Sequence, residues 1–133
     1  MSDLFLGALL AAATILILRR LGPRFEHRLY ALALIIAALI YVGFSLASDA
    51  PQWIGIEAGG VALYSTLAFL GWRLSPWFLA VGWAAHIPWD LLLHGGGSTP
   101  FVPTWYPTAC LAYDLIVALY IATRARAWSM EVA

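Results

Sequence analysis

His86, Asp90 and His94 fall four residues apart in an apolar stretch, and Tyr106, Cys110 and Asp114 repeat that spacing in the next one. Such spacing keeps side chains on one side of an α-helix, a turn apart. Glu57 stands in the apolar stretch before them. Imidazoles beside carboxylates are the groups of acid–base catalysis, proton relay and divalent-metal ligation. His86, Asp90 and His94 do not fit one ion, because an i to i+8 separation is about 12 Å along a straight helix. Metal bonds to nitrogen or oxygen are only about 2.0–2.2 Å long.

Three arrangements stay open. An i, i+4 pair holds one ion with Glu57 or Asp114 completing the shell, two ions sit at different depths, or no metal is used, Asp114 orients His86, and the shallow groups relay protons or act as general acid and base. The metal readings draw ligands from Glu57, His86, Asp90, His94 and Asp114, a donor set that suits zinc, iron or manganese. The acid–base reading makes His86, Asp90 and Asp114 catalytic.

Positioning these groups requires long helices. Of the 133 residues, 63% are hydrophobic and 11% charged, against about 25% charged in a soluble domain, and mean hydropathy is +0.85. The composition excludes an ordinary water-soluble domain and predicts an all-α, polytopic membrane protein. A single membrane domain of five transmembrane helices is expected, over about residues 4–18, 29–48, 52–72, 76–94 and 105–123. The second is free of charge. Pro88 lies inside the fourth and removes a backbone donor beside the ionisable residues. Residues 95–104, with a glycine run, read as a connector.

All seven basic residues are arginines, at positions 19, 20, 24, 28, 73, 124 and 126. Positive charge stays on the cytoplasmic side, which puts the N-terminus outside and the C-terminus inside. Trp53 and Trp105 then fall near the outer interface, and Trp72, Trp77 and Trp128 near the inner one. Counting about 1.5 Å of rise per residue inward from residues 95–104, His94 and Tyr106 are shallow. Asp90 and Cys110 lie a turn deeper, Glu57 near their level, and His86 and Asp114 deeper still. Five ionisable groups on three helices thus surround one expected cavity in the outer half. Each costs about 2.5–3.5 kcal/mol at bilayer depth unless partnered. Gly7, Ala11, Gly59 and Gly60 read as close-contact positions between helices. One cysteine, Cys110, excludes an intrachain disulfide and reads as a packing residue.

The stretch Gly82-Trp83-Ala84-Ala85-His86-Ile87-Pro88-Trp89-Asp90, with Glu57 in the preceding span and Asp114 in the following one, resembles an uncharacterised family of small bacterial polytopic membrane proteins. The resemblance covers the last three spans and implies no activity.

Taken together, the residues point first to an enzyme of the plasma membrane acting on a small lipophilic substrate, by acid–base or metal-assisted chemistry. A second reading is translocation of protons or metal ions, which in so small a chain calls for a homo-oligomer. A third is a structural subunit of a larger complex. The lipid bilayer is the expected partner. No basic patch for nucleic acid is present.

Overall fold

A computed structural model of the chain describes residues 2–48, 50–95 and 101–132. Most of the glycine run of the expected connector, residues 96–97, lies outside the described residues, as do positions 98–100. Five helices follow one another: α1 (Ser2–Arg19), α2 (Pro23–Ala47), α3 (Ile54–Arg73), α4 (Pro76–Leu93) and α5 (Trp105–Val132), with one 3₁₀ turn, Pro51–Trp53, leading into α3. The protein is all-helical among the described residues and is a membrane protein. α1, α2, α5 and the stretch Pro51–Arg73, which contains α3, are long and apolar enough to cross a bilayer. α4 has a comparable length and carries His86, Pro88 and Asp90.

Two boundaries differ from the expectation. α2 begins at Pro23, six residues before the predicted start at 29, so the charged segment Arg24 to Arg28 is helical. Gly22, at φ 88°, turns the chain into Pro23 at the first helical position, where a missing N–H costs nothing and a left-handed φ suits glycine. α5 runs on past 123 to Val132, because nothing between them is a Gly or Pro that would stop a helix.

The helices pack in the spatial order α1, α5, α4, α3, α2, while α1 and α2 barely touch each other. The ring of helices is therefore nearly open along one side. Tyr30, Leu34, Ala38 and Tyr41 form the buried stripe of α2, at the 3.6-residue period of a helix face. Leu34, Leu79, Val117 and Ile121 fill the middle of the core and are completely buried.

α1 is held chiefly by close approach. Only Gly7 and Ala11 are buried on it, and a Cβ on Gly7 would collide with the Ala109 carbonyl of α5, as expected for small residues at a membrane helix contact. Gly60 likewise admits the Trp89 ring, whereas a Cβ on Gly59 would meet open space. Gly7→Ala is expected to cost about 1–3 kcal/mol through overpacking, read as a lower unfolding midpoint in detergent. Gly43→Ala, where nothing lies within 4 Å of the added carbon, is expected to leave the midpoint unchanged or raised. Equal effects of the two substitutions would remove the close contact as the reason for Gly7.

At the end carrying the arginines, α2, α3 and α5 are tied by polar contacts. His27 Nε2 donates to the Gly71 carbonyl at 2.7 Å, its ring stacks on Trp128 at 5.2 Å, and the Tyr120 hydroxyl donates to Glu26. Trp128, expected as an interfacial ring, is fully buried, because the extension of α5 carries it back onto Tyr30 and His27.

Candidate acid–base site

The antiparallel pairing of α4 and α5 brings together the deeper groups of both helices. His86 Nδ1 lies 2.9 Å from Asp114 Oδ2 and 3.2 Å from Asp90 Oδ2. Asp90 Oδ1 accepts from the Tyr41 hydroxyl at 2.5 Å. His86, Asp90, Asp114 and Tyr41 are all buried to within 1% of complete. His86 and Asp90 are one turn apart on α4, so a single helix face presents both, and Asp114 approaches across the helix contact. With its proton on Nδ1, the imidazole donates to a carboxylate and keeps one tautomer. His86 Nε2 is also buried and has no hydrogen-bond partner among the described residues.

The wall beside His86 is aromatic. The Tyr64 ring meets the imidazole edge-on at 4.9 Å, and its hydroxyl donates to the Ala85 carbonyl at 3.0 Å. That bond lies next to the carbonyl of Ala84, which loses its normal intrahelical donor because Pro88 has no N–H. α4 nevertheless continues through Pro88 to Leu93.

Glu57 and His94 form a separate, shallower pair, with Oε1 and Nε2 2.8 Å apart. Glu57 is expected near the level of Asp90; it pairs instead with His94, because it stands in the first turn of α3, where side chains lean toward the helix N-terminus. Tyr41 joins the two groups, its hydroxyl on Asp90 and its ring stacked on His94 at 4.1 Å and 12°. Phe101 and Trp53 pack over His94 from the connector side. Phe101, Val102 and Ala50 close that end with an apolar cap.

A cavity of about 300 Å³ reaches this site. The sequence pointed to a hollow among the last three spans, but α3 contributes nothing to it. Gly7 and Leu10 of α1 and Ala33, Ile36, Ala37 and Ile40 of α2 form its sides, and Trp83, His86, Tyr106, Cys110 and Asp114 lie deeper. It follows the gap between α1 and α2, the one weak contact in the ring of helices. Its lining is overwhelmingly apolar, and Leu10 and Ile36 at its rim are exposed toward the surroundings of the bundle. The opening is thus lateral, toward where lipid chains lie around a membrane protein.

His86, Asp90 and Asp114 each offer one ligand atom, all within 4.8 Å of one another. Two metal bonds span at most about 4.4 Å, so the three atoms fit one ion after a small inward movement. A metal-bound histidine, however, ordinarily donates its other ring N–H to an acceptor, and His86 Nε2 has none among the described residues. Glu57 and His94 belong to the other pair and are not part of this donor set.

Tyr41 and Tyr64 join the site without any signal in the spacing of the ionisable residues. Tyr41 lies on the charge-free α2, where a tyrosine reads as one more apolar residue. Its position on the stripe with Leu34 and Ala38 was the available signal, since a hydroxyl on a buried face needs an acceptor.

Comparison with known proteins gives one family match: a group described as a family of unknown function, DUF6010, matches residues 2–127. The match extends over the first two helices as well as the three that carry the motif. No curated protein and no solved structure matches the chain.

Proposed function

This chain belongs to DUF6010, a family of unknown function, and we propose that it is an intramembrane enzyme that moves a proton to or from a small lipophilic substrate, with His86 as acid or base. The observation that carries the reading is the arrangement of the His86 ring: Nδ1 against two buried carboxylates, Nε2 without a hydrogen-bond partner among the described residues, on a residue that lines the cavity. In this reading Nε2 takes a proton from the substrate while the N–H at Nδ1 remains on Asp114. The imidazolium charge so formed is offset by Asp114 and Asp90, and the reverse transfer returns the proton. Tyr41 holds Asp90 in place. An apolar cavity open between α1 and α2 favours a substrate drawn from the bilayer over one drawn from water.

The test is turnover. Purified protein reconstituted in liposomes of a bacterial total lipid extract is expected to alter at least one extractable lipophilic species by mass spectrometry. His86→Ala liposomes are expected to leave that species unchanged. Identical profiles for the two proteins would contradict the enzymatic reading.

A second reading, a metal centre on His86, Asp90 and Asp114, is favoured by the convergence of three ligand atoms. It requires near-stoichiometric zinc, iron or manganese in protein purified without chelator, and loss of that metal in Asp90→Ala. Relay of ions across the bilayer is disfavoured, because Leu34, Leu79 and Val117 fill the core between the two polar ends.

A further inference from the structure

A second concavity, unconnected with His86, lies between α2 and α3 at the arginine-bearing end of the bundle. It encloses about 350 Å³ and is bordered by Arg28, Ala31, Leu32 and Ile35 of α2 and by Phe69 and Trp72 of α3, among others. From Arg28 to Ile35 the helix rises about 10 Å, so the trough runs from the membrane interface into the hydrocarbon layer. Its deep part is apolar. Its mouth is cationic: Arg28 borders it directly, and the Arg73 guanidinium stands over the Trp72 ring that forms one wall, 5.4 Å from the centroid. Arg28 and Arg73 are exposed, and no ion pair to either occurs among the described residues. Glu26, the nearest acid in sequence to Arg28, is buried and engaged by Tyr120.

We propose that this trough is a binding site for one anionic phospholipid, with the phosphate held by Arg28 and Arg73 and one acyl chain lying against Leu32, Ile35 and Phe69. Charge decides the occupant. A twofold contact through this face would gather four arginines at one seam, whereas a phosphate diester neutralises the two that border the trough. Basic pockets between membrane helices recognise anionic headgroups in this way, and an indole at the interface borders the headgroup region. Each part of the lipid has a counterpart: guanidinium groups for the phosphate, the Trp72 face at the level of the glycerol, and a branched aliphatic floor for the chain.

The test is lipid binding to the purified full-length protein by native mass spectrometry, comparing phosphatidylglycerol with phosphatidylcholine of the same chains. The wild type is expected to prefer phosphatidylglycerol by at least about tenfold. Arg28→Gln/Arg73→Gln is expected to abolish the preference while keeping wild-type helix content by circular dichroism. Leu32→Trp, which fills the trough and leaves both arginines, is expected to weaken binding of both lipids. Equal affinity for the two lipids in the wild type would overturn the proposal, as would an unchanged preference in the double variant. Glycerol phosphate competing as well as the whole lipid would show a headgroup site with no chain in the trough. Protein dimers that exclude lipid and dissociate in Leu32→Trp would assign the face to a second copy instead.

Discussion

Asp90→Ala is expected to lower the stability of the protein by about 3–5 kcal/mol, the cost of breaking a buried charged network from one side. The substitution strips the Tyr41 hydroxyl of its acceptor and removes one of the two carboxylates facing His86 Nδ1. The stranded hydroxyl is completely buried on Tyr41, while His86 is left with Asp114 alone. Because Tyr41 also stacks on His94, the loss should spread to the Glu57–His94 pair and loosen α2 against α4. Asp90→Asn keeps an oxygen for the hydroxyl and is expected to lose distinctly less. Reversible unfolding in mixed micelles measures both. A loss under about 1 kcal/mol for Asp90→Ala, the range of solvent-exposed pairs, would mean that the network is hydrated and not sealed.

Asp114→Asn is expected to reduce turnover by about 10²- to 10⁴-fold, the typical worth of a positioned acid or base, with little change in KM. The carboxylate accepts from the N–H at Nδ1 and so keeps the proton off Nε2. An amide in its place can instead present its own N–H groups to Nδ1, which favours the tautomer with the proton on Nε2 and leaves no lone pair there for a substrate proton. Asp114 acts through His86 in this account and is a positioning residue, so the decisive signature is a fall in kcat at nearly constant KM. The assay uses the substrate identified by the liposome comparison. A rise in KM with kcat unchanged would place Asp114 in substrate binding instead.

Much of this site could be read from residue spacing. The turn-by-turn placement of His86 and Asp90 on α4, and of Asp114 on the next helix, follows from helical geometry once the spans are recognised, and the structure brings these three together. The separation of His94 from His86 follows from the same geometry, since they stand two turns apart; that Asp90, one turn from each, sides with His86 and leaves His94 to Glu57 does not follow from spacing. The partner of Glu57 is His94 and not Asp90, because counting residues gives the depth of a Cα and not the lean of its side chain toward the helix N-terminus. The wall of the cavity was not legible at all. Which helix lies beside which is a property of packing, and the gap between α1 and α2 depends on α1 docking on α5 through Gly7. The early start of α2 is legible in principle, since Gly22-Pro23 is a helix-start signal, but the charged residues after it lack the apolar run by which a span is bounded. Burial of Glu26 and His27 depends on Tyr120, Gly71 and Trp128, which are distant in sequence.

The central claim is that Asp114 and Asp90 fix the His86 proton on Nδ1 and leave Nε2 for chemistry. Nitrogen-15 NMR of histidine-labelled protein in lipid bilayers reads the two ring nitrogens separately, with His86 assigned by comparison with His86→Gln. The account predicts a protonated, hydrogen-bonded Nδ1 in the wild type and loss of that proton from Nδ1 in Asp114→Asn. A wild-type ring with bare Nδ1 and its proton on Nε2 would contradict it.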